Sequence, residues 1–325
     1  MVGLRPWRAA RSVDGPHPAR VEDIPALNEV FSEAFTERYR RDGMVGVRVP
    51  ALNPQIWRYA IEDAADGAML WRGDRGEIVA FNVAHLSGEE GWMGPLAVRP
   101  EWQGHGVGKE VVRAGIDWLR RHGARTIGLE TMPRTMDNIG FYSSLGFVPG
   151  RLTLTVTIDA APGGPPRLLG RLPAHERDEA LEECRALTAR LLPGADFTRE
   201  LALTEQLALG DTVLVRTPDG ALGAFALCHS VPLVEGRVRE ELRVLKLAIG
   251  DLALLPPLVS AVADLARRSG TRRAAFRVQG EFPALYRALV GMRGRVRWTD
   301  LRMTLDGYPE SPVAVGGAVL SNWEI

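Results

Sequence analysis

The chain has 325 residues, with 40 basic and 40 acidic side chains and a formal net charge of zero, so no global field draws it to nucleic acid or to an anionic membrane. Its apolar fraction of 46% is enough to fill two cores, its length is that of two domains, and no apolar run approaches the roughly 18 residues that span a bilayer. Cys184 and Cys228 fall in a helical and a strand-like pattern without metal-ligand spacing, which fits buried free thiols in a reducing cytoplasm and gives no reason to expect a metal.

In chain order, residues 1–16 carry arginines but lack the apolar core of a secretory signal and read as an extension. Residues 18–22 read as a first strand, and Asp23 as the cap of a helix whose Ile24, Leu27, Phe31 and Phe35 recur at helical spacing. The charged stretch 36–46 reads as a solvated helix end. A short helix over 55–63 precedes a hairpin whose strands, 69–72 and 78–85, flank a Gly-Asp-Arg-Gly turn. Gly88 opens the next turn, where Glu89 and Glu90 read as solvated loop charges. An apolar strand, 93–98, is stopped by Arg99-Pro100, and a glycine-rich turn over 103–108 feeds a helix with Val112, Ile116 and Leu119 on one face. A strand over 126–130 follows, then one over 151–159 with alternating Leu152, Leu154, Val156 and Ile158. The run AAPGGPP at 160–166 suits neither helix nor central strand and marks a domain boundary.

Gly104, Gly106 and Gly108 let the backbone bend sharply and present N–H groups with no Cβ in the way. The helix behind them adds the positive end of its dipole, so the turn is suited to an anion such as a diphosphate. The spacing is not the G-x-G-x-x-G of a dinucleotide turn. Glu110 stands where a phosphate-binding P-loop would have Ser or Thr after Gly-Lys.

The segment Gln103-Gly104-His105-Gly106-Val107-Gly108 resembles the Arg/Gln-x-x-Gly-x-Gly/Ala signature of the GNAT (Gcn5-related N-acetyltransferase) superfamily. The flanks agree: Leu96-Ala97-Val98-Arg99-Pro100 resembles the strand end that pairs with pantetheine, and Tyr142 to Phe147 the Tyr-x-x-x-Gly-Phe segment. The resemblance implies an α/β fold with a mixed, mostly antiparallel sheet flanked by helices. It also implies acetyl-CoA as co-substrate, without a metal. Leu96, Ala97 and Val98 would pair with pantetheine. Gln103, Gly104, His105, Gly106, Val107, Gly108 and Lys109 would form the diphosphate turn, with Asn138 and Tyr142 completing the cofactor contacts. Tyr142 would also be the general acid for the departing sulfur. Trp92 stands where some members carry a basic carboxylate, which leaves Glu130 as the nearest candidate, with Asp137, His85 and ordered water as alternatives. Thr135 stands where the family often has Asn. The charged stretch 36–46 corresponds to the region that walls the acceptor site.

The second half repeats the first. Arg72, Gly76, Ala80, Phe81 and His85 recur at one constant offset as Arg216, Gly220, Ala224, Phe225 and His229. Leu96-Ala97-Val98 recurs as Leu247-Ala248-Ile249, and Tyr142 aligns with Tyr286. The glycine turn does not recur: Pro256 and Pro257 stand near the matching helix start, so this copy is expected not to bind coenzyme. It would instead bury the first sheet, complete an acceptor pocket or support a homodimer. The expected layout is an extension (1–16), a catalytic domain (17–159), a linker (160–166), a degenerate copy (167–308) and a tail (309–325). The tail shows no periodic pattern, and Trp323 is the residue that would dock it. The function implied is acetyl transfer by direct attack of a primary amine, on a small molecule or a protein, in the cytoplasm. A transferase using another acyl-CoA, or a non-catalytic acetyl-CoA sensor, fits the same turn.

Overall fold

The computed structural model describes residues 12–234, 236–238 and 240–322, which divide into two compact units. The first takes the chain up to His85 together with Met93–Gly123, and the second takes Leu86–Trp92 together with the chain from Ala124 onward. Most of the N-terminal extension and Trp323 lie outside the described residues.

In the first unit, β1 (Asp14–Pro18) pairs antiparallel with β2 (Ala68–Arg72), β2 pairs with β3 (Ile78–Ser87), and β3 neighbours β4 (Glu90–Val98). The first strand thus precedes the expected 18–22. Its two prolines are tolerated because β1 is an edge strand, where a missing N–H leaves no ladder bond unmade. Residues Val21–Asp23 instead form a 3-10 turn, closed by the Arg20 N–H donating to the Asp23 carboxylate at 3.0 Å.

Helix α1 (Ile24–Arg41) buries Ile24, Leu27 and Phe31, and Phe31 meets Trp57 of α2 (Pro54–Ala64) edge-on at 6.2 Å. Asn53 caps α2 by accepting from the Gln55 N–H at 3.0 Å. The far end of α1 is charged, with Glu37 bridging Arg40 at 2.7 Å and Arg41 at 2.8 Å. Helix α3 (Val107–Arg121) buries Val112, Ile116 and Leu119 as their spacing requires. It lies close to the sheet because Gly115 has no side chain: a Cβ there would come within 2.4 Å of Asn82 Nδ2 and of Met93 Sδ. Asn82 Nδ2 donates to the Val111 carbonyl at 3.2 Å, which ties β3 to the second turn of α3.

The second unit contains β5 (Thr126–Thr131), α4 (Met136–Ser143), β6 (Phe147–Asp159), β7 (Arg167–Leu168), α5 (Ala174–Leu191), α6 (Thr198–Gln206), β8 (Gly210–Arg216), β9 (Leu222–His229), β10 (Glu241–Ile249), α7 (Leu255–Arg268), β11 (Arg273–Gln279), α8 (Pro283–Gly291), β12 (Arg295–Leu305) and β13 (Ala318–Ser321). Its strands run in the order β5-β12-β6-β11-β10-β9-β8-β7, with β13 added against β10. One sheet face packs on Val156, Leu258, Phe276 and Leu285. The other packs on Cys184, Leu187, Phe225 and Val319. Both cysteines are buried and unbridged, and burial pushes the Cys184 thiol up to about 12, as suits an inert core thiol.

The repeat is visible in the elements as well as the letters. From β1 to β6 and again from β7 to β12 the chain runs strand, two helices, three strands, helix, strand, helix, strand. The two hairpins share a detail: Arg72 Nη1 donates to the Gly76 carbonyl at 3.0 Å and Arg216 Nη1 to the Gly220 carbonyl at 2.7 Å. The register slips at the same place in each, just before those arginines. The closing strands are exchanged between the halves. Strand β12, from the second, pairs antiparallel with β5 over Leu301–Thr304, and β6, from the first, pairs antiparallel with β11; β6 and β12 pair with each other between them.

Candidate coenzyme site and its flanking residues

The glycine turn lies in the first unit. Gly104 and Gly106 have φ of +83° and +92°, a backbone region that residues with a Cβ enter at a cost. Gly106 is the residue in front of α3, and among the described residues no side chain caps that helix start. A Cβ built on Gly106 meets nothing within 4 Å, so the space before the first N–H groups is open. The Lys109 and Glu110 N–H groups donate back to the Gly106 carbonyl at 3.0 and 3.3 Å, which leaves the Val107 and Gly108 N–H groups to lead the helix with the positive end of its dipole behind them. An anionic diphosphate fits this cradle.

The turn is fastened to the strand before it. Gln103 Nε2 donates to the Val98 carbonyl at 2.9 Å, so Gln103 positions the turn against the end of β4 and its side chain is occupied by the protein. Ala97 and Val98 are buried, His105 is partly exposed and Lys109 is exposed. The first unit therefore gathers Leu96, Ala97, Val98, Gln103, Gly104, His105, Gly106, Val107, Gly108 and Lys109 at one strand end and one helix start.

The second unit holds the remaining candidates. Tyr142 is buried near the end of α4, between Phe141 at 5.2 Å and Phe147 at 6.1 Å between ring centroids. Burial raises its pKa far above the ordinary phenol value, which keeps the hydroxyl protonated across the physiological range. Asn138, one turn earlier, donates to Thr131 Oγ1 at 3.5 Å.

Glu130 is not placed as a base should be. Its Oε1 accepts from Thr153 Oγ1 at 2.6 Å and Arg302 Nη1 at 3.0 Å, while Oε2 pairs with Arg277. Burial works to raise its pKa, but Arg277 and Arg302 outweigh that and hold the carboxyl below its usual value. A carboxylate stabilised in this way is a weak proton acceptor.

Glu90, expected in solvent, is 6% exposed in β4. Burial drives its pKa up, and Lys246, Arg302 and a hydrogen bond with Ser321 only partly offset that. Sequence reasoning missed it because a glutamate after a turn glycine is ordinarily solvated, and the residues that cover it come from β10, β12 and β13. The one available signal was its position two residues before Trp92, on the same face of the strand.

In the second half, the stretch matching the glycine turn offers fewer N–H groups: Asp251 takes the Ala253 N–H at 2.8 Å in the short turn before α7, and Pro256 and Pro257, which carry no N–H, occupy the first turn of α7. The backbone of Leu247-Ala248-Ile249 is paired with Leu320, Val319 and Ala318 of β13. Residues Ala318–Ser321 of the tail thus form an ordered strand. Among the described residues no group of three or more His, Cys, Asp or Glu side chains is placed to hold a metal ion, and no helix is long and apolar enough to cross a membrane.

Comparison with known proteins agrees with this geometry. Residues 25–147 match the model of the acetyltransferase (GNAT) family. The ribosomal protein bS18-alanine N-acetyltransferase of Escherichia coli K12 is 32% identical over 72 residues, 22% of this chain and 49% of the relative, so the match spans about half of that protein's length. Among solved structures, a candidate acetyltransferase from Pyrococcus horikoshii superposes with a TM-score of 0.67 at 15% identity, over 99% of this chain and 98% of the other. A tandem GNAT protein from the clavulanic acid biosynthesis pathway superposes with a TM-score of 0.58 at 11% identity, over 92% and 100%. Residues 25–147 thus resemble the acetyltransferase (GNAT) family, and the fold of the chain is similar to that of the Pyrococcus horikoshii protein and of the tandem GNAT protein.

Proposed function

We propose that the chain is an acetyl-CoA-dependent N-acetyltransferase acting on a primary amine by direct attack, with residues 17–159 as the working copy and 167–308 as a copy that binds no coenzyme. The observation that carries this reading is the uncapped start of α3 behind Gly104 and Gly106, whose positive φ values and open Cβ space suit a diphosphate held by main-chain N–H groups. The backbone of Ala97 and Val98 would pair with the pantetheine arm. Asp251, Pro256 and Pro257, with β13 on β10, support the assignment of a single working copy.

In the reaction the amine nitrogen attacks the thioester carbonyl carbon, and the tetrahedral intermediate collapses with cleavage of the C–S bond. The attacking amine is neutral; its nitrogen, positively charged in the intermediate, releases one proton, the thiolate takes the Tyr142 hydroxyl proton, and the released proton restores Tyr142 through solvent. Burial keeps the Tyr142 hydroxyl protonated, as a donor must be before the step, and makes it a weaker acid than an ordinary phenol. Glu130 suits the acceptor role poorly, because Arg277 and Arg302 hold its carboxylate in ion pairs, so water takes the released proton.

The test is calorimetric titration of acetyl-CoA into the intact chain, followed by a turnover screen of small amines, amino sugars and peptides with a free N-terminal alanine, the last because the E. coli relative is an alanine N-acetyltransferase of a ribosomal protein. One site per chain with turnover supports the reading. Two sites would overturn the assignment of the second copy. Tight binding without turnover would make the chain a coenzyme sensor.

A further inference from the structure

Strand β10 changes partner halfway along one edge. Over Glu241–Val244 it pairs in parallel with β11, and over Lys246–Ile249 it pairs antiparallel with β13, while β9 runs along its other edge. The two strands of the parallel pair separate after Val244, and the segment Ala318–Ser321 fills the opening. That segment is a complete guest. Leu320 and Ala318 enter the core on one face of the sheet and Val319 the core on the other.

Its polar end is read by buried groups. Lys246, only 1% exposed, donates through Nζ to Ser321 Oγ at 3.1 Å. Arg302 Nη1 donates to the Ser321 carbonyl at 3.3 Å, and the Asn322 N–H to the Leu245 carbonyl at 2.9 Å. Gln279 Nε2 donates to Asn322 Oδ1 at 2.7 Å, and Asn322 Nδ2 to the Arg277 carbonyl at 3.0 Å. A guest lacking the Asn amide would leave Gln279 Nε2 and the Arg277 carbonyl without that bond, and one lacking the Ser hydroxyl would take one acceptor from Lys246, whose Nζ keeps Ser87 Oγ at 3.1 Å; each loss weakens binding of a substituted guest. The guest is joined to the rest of the chain by a stretch without regular structure, in which Val315 is fully exposed and Gly316 has a φ of +90°.

We infer that the opening between β10 and β11 is a binding site for an extended peptide, and that the chain's own residues 318–322 are its resident ligand, exchangeable for the same sequence supplied in trans. Recognition is by strand addition, with main-chain pairing giving affinity and the Ser-Asn end giving specificity. This inference is independent of coenzyme binding by the first copy.

The test uses the whole protein with a short protease site inserted after Val315 and cut in the folded state. The cut tail is expected to stay bound through gel filtration, then to be displaced by a fluorescent peptide of residues 316–322 with saturable binding. Peptides carrying Ser321→Ala or Asn322→Ala should bind at least about tenfold more weakly. Lys246→Met in the cut protein should remove the discrimination at Ser321, and if that variant does not fold, the peptide series alone decides. Equal binding of the substituted peptides would overturn the inference. So would loss of the tail with no rebinding, or unfolding on cutting, since the strand would then be ordinary core.

Discussion

Replacing Gly106 by Asp tests the coenzyme site most directly. Gly106 has φ +92°, and placing an L-residue there costs about 1–2 kcal/mol. No clash adds to this, because a Cβ at that position meets nothing within 4 Å. Against a usual domain stability of roughly 5–15 kcal/mol the variant stays folded. Binding is affected far more. A carboxylate about 4–5 Å from a diphosphate repels each of its two charges by about 1 kcal/mol in a water-like medium and about 4 kcal/mol at the effective dielectric of a protein surface. The total, about 2–8 kcal/mol, corresponds to at least a roughly 30-fold loss of affinity. Calorimetric titration of acetyl-CoA reads this loss, and a thermal melt confirms the fold. Gly106→Asn carries the same backbone strain without the charge and should lose much less. Wild-type affinity in Gly106→Asp would refute the site, and equal losses in the Asp and Asn variants would refute the electrostatic argument.

Tyr142→Phe should lower kcat by about 100-fold while leaving acetyl-CoA affinity within about twofold; unchanged turnover would return Tyr142 to the core beside Phe141 and Phe147. Glu130→Gln should cost about 1–2 kcal/mol at neutral pH, since Arg277 and Arg302 lose their shared carboxylate but keep Asp300 and Glu310. The folded pKa of Glu130 is lowered from 4.5, so its stabilisation is full above 4.5 and disappears as pH falls through the folded value. Urea melts should therefore show wild type losing stability in acid faster than Glu130→Gln, and parallel curves would argue against the ion-pair account.

The parts legible in the sequence were those set by local chemistry. The glycine turn needed only backbone freedom and a following helix, and the copied hairpin announced itself through Arg72 and Arg216, which make the same bond to a turn carbonyl. The parts that were not legible depend on distant segments. Glu130 was read from its strand position, but Arg277 and Arg302, which decide its chemistry, lie far downstream. Glu90 follows a turn glycine, and nothing nearby announces the lysine and arginine that enclose it. The tail was unreadable because a four-residue strand buried on both faces has no periodicity to show, and its register is imposed by β10. The first strand was displaced because its prolines argue against a strand until its edge position is known.

The exchange of closing strands sets a timetable for synthesis. Residues Gly128–Thr131 of β5 meet their neighbours Leu301–Thr304 only after the ribosome has added roughly 170 further residues, about 10–30 s at ordinary elongation rates. Through that interval the edges of β5 and β6 that β12 will cover stand open to other nascent chains. The first half of the protein therefore completes its sheet only once β12 has been made, so a ribosome stalled soon after the linker leaves a chain whose open sheet edges are exposed to aggregation.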